Sequence, residues 1–590
     1  MNFYSENKLV NFDTVEINGG IACYVSGEGE LVYRTDADDM CKYVAIENHS
    51  SFWCRPFWGK SLSELPEKVQ ALLMKKDDRY VYFLPVCDSV FKTLIRGGDG
   101  GFEFYTYSNC KTVTKCDHQL AFVCIEGKEP LALMREGAKA VCELLNNGLR
   151  TREEKKVPNV FNYLGWCSWD SLQIRVSHAG LMQKVKEFKE KKVPVHYAII
   201  DDMWADVPSL NDVPSDISFD EMVSIMHASK MRSFAGDPKR FPNGMKAAIE
   251  DIKKEGIPAV GVWFPTTGYW SGLDPNGSEA ERQKENTVTL ANGQIIVAPD
   301  GEKAKRYFDD LCGRVKEWDG DFVKIDNQGF HKRYEDVAPV GQSARAIQKG
   351  IDRATEKYFN GALINCMGMP SECMFNRTSA VSRCSDDFIP ESREWFAKNI
   401  LQCSYNGLLQ GQFYVNDWDM WWTDDEQATK NSLCRAISGG PIYVSDKIGR
   451  TNPEILKPLC LEDGRIIRPD ESATPTADCL FENPTTTEKI FKIRNRIGQK
   501  GVCAVFNINA ENKTVSGTLA PTETGISDGD YVYYEYFTKQ TGVLKAGERL
   551  QITLADNGEF RLYSFEPRKG NDDRYHGRKD LFMGVACEEV

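Results

Sequence analysis

Eight short apolar segments alternate with stretches of helical spacing through the middle of this 590-residue chain, and no other feature constrains its fold as much. The segments are NYLGWCSW, VHYAIID, PAVGVWF, DFVKID, ALINCM, AVSRCS, GQFYVND and PIYVSD, all lying between Asn159 and Phe481. Stretches such as HAGLMQKVKEFKEKK, NGMKAAIEDIKKEG, EKAKRYFDDLCGRVKEW and SARAIQKGIDRATEKYF separate them, apolar on one face and charged on the other. A strand joined to the next through a helix pairs with it in parallel. Eight such units in roughly 300 residues match a closed (β/α)8 TIM barrel, whereas open doubly wound sheets seldom reach eight.

The flanks read differently. Runs such as GGIACYVSG, RYVYFLPVC and GGFEFYTYS before Val157, and GVCAVFNINA, DYVYYEYF and RLQITLADNGEF near the C-terminus, alternate with period two between turn residues. The expected organisation is therefore a multidomain α/β protein: an N-terminal β-sandwich over residues 1–157, a catalytic barrel over 158–485 and a C-terminal antiparallel β-sandwich over 486–590. Within the first part, REGAKAVCELLNNG has helical spacing.

A net charge of −13 gives the chain no electrostatic reason to seek nucleic acid or an anionic membrane, so neither is expected as a partner. The start, MNFYSENKLVNFD, lacks the basic and apolar runs of a signal peptide, and no stretch is long and apolar enough to span a bilayer, so a cytoplasmic location is expected. The 19 cysteines are scattered without C-x-x-C pairing, which in a reducing compartment makes them small buried hydrophobes. With seven histidines, none in an H-x-H or H-x-x-x-H arrangement, no metal or other cofactor is expected. Sandwich-flanked barrels often associate, so a homo-oligomer stays open.

Acidic residues gather where the predicted strands end: Asp170, Asp201, Asp202, Asp326, Asp386, Asp387, Asp417, Asp419 and Asp446. Strand carboxyl ends form the reactive face of such a barrel, although aspartate in a βα loop is also a favoured helix N-cap. Cleaving a sugar bond needs two carboxyls, one to attack the anomeric carbon and one to protonate the departing oxygen. Asp326 follows Lys324 by two residues on one strand, so both side chains share a face and the cation is expected to keep Asp326 ionised; a structural salt bridge gives the same pattern. Asp387 follows Arg383 by four residues with Asp386 beside it, and apolar Phe388 and Ile389 favour a protonated carboxyl there; capping of a helix near Glu391 is the competing role. Asp201 and Asp202 suit paired hydrogen bonds from neighbouring sugar hydroxyls, with an all-oxygen magnesium site as the rival. Trp166, Trp169, Trp263 and Trp270 stand near strand ends, where a ring either walls a sugar subsite or packs in the core.

Taken in order, GWCSWD, IIDDMW, VWFPTTGYW, DFVKIDNQ, SRCSDDF, NDWDMWW and RAISGGPIYVSD resemble the raffinose synthase branch of glycoside hydrolase family 36, allied to the lysosomal α-galactosidase clan. The resemblance spans the predicted barrel, extends weakly into the N-terminal part through FLPVCDSVFKTLI, and covers the C-terminal part in architecture only. It implies Asp326 as nucleophile and Asp387 as general acid/base, with Asp386 as fallback. It further implies that Asp201 and Asp202 hold the galactose O4 and O6 hydroxyls, that Trp166 walls the pocket, and that Lys324, Arg383 and Asp419 bind the sugar and orient the carboxyls. By the same resemblance INCMGMP matches the position around the sugar's C2 substituent, where Cys366, Met367 and Gly368 imply a preference for galactose over N-acetylgalactosamine. The expected activity is retaining hydrolysis of terminal α-galactosides of raffinose type. The alternatives are a galactosyltransferase of the raffinose synthase kind, an α-N-acetylgalactosaminidase and a non-catalytic sugar-binding barrel. The chain is more compact than the plant synthases, which favours water as acceptor.

Overall fold

The computed structural model describes residues 3–6, 10–35, 42–211, 213–214 and 216–587. Each of the eight apolar segments contains a short strand: β1 Leu164–Cys167, β2 Tyr197–Ile200, β3 Ala259–Pro265, β4 Phe322–Asp326, β5 Leu363–Asn365, β6 Val381–Arg383, β7 Val415–Asp417 and β8 Ile442–Val444. They pair in parallel in the order β7-β6-β5-β4-β3-β2-β1-β8. The barrel is nearly closed rather than fully closed, because no ladder among the described residues joins β7 to β8. The seam is bridged by side chains: the Tyr443 hydroxyl donates to Asp417 Oδ2 at 2.7 Å. At its lower end a Cβ on Gly440 would stand 2.0 Å from the Asn416 carbonyl oxygen, so only glycine lets the two segments approach this closely.

Interior and exterior follow the period-two rule. Near the N-terminal ends of the strands the barrel is filled by rings: Phe322 lies 5.6 Å from Tyr197 and 5.4 Å from Phe161. Gly165 and Gly261 make room for them, since a Cβ at either position would meet the Tyr197 or Phe322 ring at 2.2 to 2.3 Å. With residues 165, 197, 261 and 322 facing inward, alternation turns Cys167, Trp263, Lys324 and Asp326 inward too, one or two layers higher.

The helices of the outer layer start at side-chain caps: Ser177 for α1 His178–Glu190, Asp300 for α3 Gly301–Glu317 and Ser392 for α5 Arg393–Leu409. Between them lie α2 Gly244–Lys254 and α4 Val340–Phe359, and α6 Ala428–Ile437 follows α5. Because Ser392 caps α5, neither Asp386 nor Asp387 is spent on capping it.

The antiparallel strands between Phe3 and Gly127 form one eleven-stranded hydrogen-bonded network rather than two separate sheets. It wraps a core that includes Leu31, Tyr33, Leu72, Phe83, Phe104 and Phe122, and the helix Pro130–Leu145 follows it. Toward the C-terminus a six-stranded sheet and the pair Val515–Leu519/Leu550–Leu554 enclose Val505, Val515, Leu554 and Phe565. The cysteines among the described residues are all free. No helix among them is long and apolar enough to cross a membrane.

Candidate active site

Asp326 ends β4 and is 7% exposed. Trp263 Nε1, from β3, donates to its Oδ2 at 3.0 Å, and the Asn327 backbone N–H donates to its Oδ1 at 2.7 Å. Burial pushes the Asp326 carboxyl above its usual range, while Lys324, Trp263 and the Asn327 amide pull it back. The expected Lys324–Asp326 pair is therefore only part of the story. Lys324 Nζ makes its close ion pair with Asp201 Oδ2 at 2.7 Å, across the barrel interior on β2's end. Burial works against the Lys324 ammonium, but Asp201 holds it charged, and Lys324 influences Asp326 at longer range.

Asp201 and Asp202 turn to different partners. Asp201 also accepts from Cys167 Sγ at 3.1 Å, and its own N–H donates to Ser168 Oγ at 2.9 Å. Asp202 accepts from the Tyr269 hydroxyl at 2.7 Å and from Trp270 Nε1 at 2.8 Å. Burial pushes Asp202 up to about 7, against the pull of those donors and the Met203 amide. Trp263, Tyr269 and Trp270 lie on one β3 extension, with Trp263 and Trp270 rings 6.0 Å apart.

Beyond β6, Arg383 gathers the second carboxyl group. Its guanidinium is 2.9 Å from Asp419 Oδ1 and 3.2 Å from Asp387 Oδ1, and it donates to Cys366 Sγ at 3.7 Å. Asp419 has φ 67°, an unusual backbone for a residue with a Cβ, and its Oδ2 accepts from the Phe388 N–H at 2.8 Å. Asp387 is the accessible carboxyl of the set, with 63% of its side chain open to solvent. The protein crowding around its inner side still pushes it up to about 6, with Arg383 opposing and the charges of Asp419 and Asp326 adding. Burial raises the Cys366 thiol, with the charges of Asp326 and Asp387 adding and those of Arg383 and Lys324 opposing. Asp386, by contrast, turns away to His49 Nε2 at 2.9 Å.

One expected pocket residue does not belong here. Trp166 is fully buried, and its ring stands 6.0 Å from Phe188 of α1. With Gly165 facing inward, its neighbour on β1 must face the helix layer. Trp169, past the strand end and only half-buried, is not so constrained.

Two contributors, Trp53 and His49, carry no strand-end signal, and the strand-end aspartate Asp170 joins the site with no role assigned to it from the sequence. Asp170 accepts from Ser445 Oγ at 2.8 Å, and burial pushes it up to about 8, with Asp419, Asp387 and Asp201 adding. Trp53 places its ring 5.3 Å from the Arg383 guanidinium, and His49 holds Asp386. Both come from the N-terminal sheet, where the run NHSSFWCRPFW is rich enough in aromatics to have drawn notice. Among the described residues no group of three or more His, Cys, Asp or Glu side chains is arranged to hold a metal ion.

A sequence model of the family described as "Raffinose synthase or seed imbibition protein Sip1" matches residues 37–514. The chain belongs to this family. Among its relatives in the raffinose synthase family, the galactinol–sucrose galactosyltransferase of Pisum sativum is 26% identical over 90% of this chain and 75% of its own length. The stachyose synthase of the same plant is 24% identical over 89% of this chain and 78% of its own length. Among solved structures, a GH36 α-galactosidase from Geobacillus stearothermophilus superposes with TM-score 0.59 at 9% identity, covering 94% of this chain and 81% of that one. The galactosidase domain of an α-galactosidase–sucrose kinase gives TM-score 0.59 at 12% identity, over 95% and 80%. At those identities the likeness speaks for the fold.

Proposed function

We propose that this member of the raffinose synthase family acts on terminal α-galactosides by double displacement, with Asp326 as nucleophile and Asp387 as general acid/base. The observation that carries the reading is the contrast between the two carboxyls. Asp326 is enclosed with a donor on each oxygen, while Asp387 is open to solvent and pushed up to about 6. Donors on both oxygens favour the ionised form a nucleophile needs, and a carboxyl raised toward neutrality keeps the proton an acid must give. Asp386 is unsuited to the acid role because His49 Nε2 takes its carboxyl and its backbone N–H is tied to Gln402 Oε1.

In the first step Asp326 attacks the anomeric carbon and the C–O bond breaks toward the leaving oxygen, which takes the Asp387 proton. In the second, Asp387 removes a proton from the incoming acceptor as that oxygen displaces Asp326. Asp201 and Lys324, locked together, and Asp202 with Tyr269 and Trp270 form a polar wall suited to sugar hydroxyls. At the position that the family resemblance sets beside C2, Cys366, Met367 and Gly368 bring no carboxylate and no group that selects an acetamide, and we take galactose rather than N-acetylgalactosamine as the sugar.

We take water as the acceptor. The names of the relatives favour a second reading, transfer of the galactosyl group to a sugar. Both share the first step. The test is release of 4-nitrophenol from the α-galactoside, the α-N-acetylgalactosaminide and the α-glucoside, followed by product analysis from raffinose and from galactinol with and without sucrose. Turnover of the galactoside alone, with α-galactose as the first product by NMR, supports the hydrolytic reading. A galactosylated sucrose product moves it to transfer, β-galactose as first product removes the double displacement, and turnover of none of them removes the enzyme.

A further inference from the structure

The turn carrying Asp387 is held from nearly every side. The Asp386 N–H donates to Gln402 Oε1 at 2.8 Å, and the Asp386 carbonyl accepts from Ser385 Oγ at 2.9 Å and Arg383 Nη2 at 3.1 Å. Trp395 Nε1 donates to the Asp387 carbonyl at 2.9 Å, and the next amide, Phe388 N–H, is taken by Asp419. These anchors belong to the barrel. The Asp386 carboxylate goes instead to His49 Nε2 at 2.9 Å, a residue 337 positions earlier in the chain, in the loop between the N-terminal strands Lys42–Glu47 and Arg55–Phe57.

That loop is itself rigid where it meets the barrel. Asn48 Nδ2 donates to the Ser50 and Trp53 carbonyls at 2.7 and 3.0 Å, and Ser50 Oγ accepts from the Phe52 and Trp53 amides at 3.2 and 3.0 Å. Its outer face docks on the barrel: the Met369 N–H, past the end of β5, donates to the Phe52 carbonyl, and Asn406 Nδ2 of α5 to that of Cys54 at 2.8 Å. Ser51's carbonyl oxygen lies 2.1 Å from where a Cβ on Gly329 would stand, so the β4 loop accepts it only as glycine. Asp387, meanwhile, has a single close ion-pair partner among the described residues, Arg383, and an accessible carboxyl. Its aim depends on the backbone beneath it.

We propose that His49, from the N-terminal sheet, is a positioning residue for the acid: by holding Asp386 it fixes the turn that points Asp387 at the leaving oxygen. The proposal rests on the reading of Asp387 as general acid. A displacement of about 1 Å in a reacting group costs on the order of a hundredfold in rate, so a tether one residue away is well placed to matter. Its signature is selective. An acid out of line hurts a leaving group that needs the proton far more than one that departs readily as an anion.

The experiment compares His49→Ala and His49→Gln with wild type on 2,4-dinitrophenyl α-galactoside, 4-nitrophenyl α-galactoside and raffinose, with amide hydrogen exchange of the segment from Arg383 to Pro390 as a second readout. For His49→Ala the expected result is a loss in kcat/KM at least about tenfold larger for raffinose than for the dinitrophenyl substrate, with faster exchange in that segment. The Gln amide can still donate to Asp386 and is expected to restore both. An equal loss on all three substrates, or exchange unchanged by either substitution, overturns the proposal. A wild type inert toward every galactoside overturns the functional reading instead, and exchange then decides the tether alone.

Discussion

Trp263 does more for Asp326 than stack beside it. Its indole N–H supplies one of the two donors that oppose the upward push of burial on this carboxyl. Replacing it by Phe removes a hydrogen bond to a charged group, a loss of about 1.5–3 kcal/mol, or about ten- to a hundredfold. We expect Trp263→Phe to lower kcat/KM by that factor and to move the acidic limb of its pH profile upward, because Asp326 must now lose its proton at higher pH. Asp387 governs the opposite limb. An acid must be protonated to act, so a carboxyl pushed up to about 6 predicts that kcat/KM falls as pH rises through that value. In Asp387→Asn that limb disappears, together with about 10²- to 10⁴-fold of the rate on raffinose. A pH profile of both proteins checks it; a basic limb that survives the substitution assigns the acid to another group.

Among the elements, α5 departs most from amphipathic spacing. Its buried side chains include Asn399, Gln402, Ser404, Tyr405, Asn406 and Leu408, so polar and apolar positions alike are covered. The reason is its place: Tyr405 meets the Trp58 ring of the N-terminal sheet edge-on at 4.9 Å and stacks on Phe491 of the C-terminal sheet at 6.0 Å. A helix touched on several sides needs no polar stripe, and its amides and hydroxyls become ties, as when Asn406 reaches the Cys54 and Cys384 carbonyls. Truncating Tyr405 to Ala removes a buried aromatic, which costs about 3–5 kcal/mol. The expected outcome is a urea unfolding midpoint lowered accordingly, with the N-terminal sheet losing protection alongside α5. A shift confined to the barrel counts against this linking role.

At the scale of the molecule, the N-terminal sheet is joined to the barrel by a buried charge pair, Lys92 with Glu372 on the β5–β6 connection, 3% and 9% exposed. Burial works against each ion, yet each keeps the other charged: Glu372 is held below its usual range and Lys92 above. Leaving one ion buried alone is costlier than losing both. Lys92→Met should therefore destabilise by about 3–5 kcal/mol, and Lys92→Met with Glu372→Leu should recover much of that loss in a denaturation experiment. A double variant no more stable than the single one contradicts the pairing.

What was legible in the sequence was local. Strands β1 to β8 stand inside the apolar runs that marked them, because a strand buried on both faces must be apolar throughout, and aspartates after those runs fall on the barrel's open end because chain direction alone puts them there. Trp166 shows where such reading stops: its strand-end position suits a pocket wall, yet Gly165, whose missing side chain leaves room for the Tyr197 ring, commits its neighbour to the helix side. Only the tertiary structure decided partners. Lys324 is two residues from Asp326, but a lysine stem spans the barrel interior, and the nearest carboxylate in space is Asp201. His49 and Trp53 reach the site across more than three hundred residues of chain, through a loop whose own spacing carries no trace of the barrel. Sequence settles what each backbone segment can be, since that depends on neighbours along the chain. Which charges meet, and hence which carboxyl keeps its proton, depends on distances that exist only once the sheets have closed around the barrel.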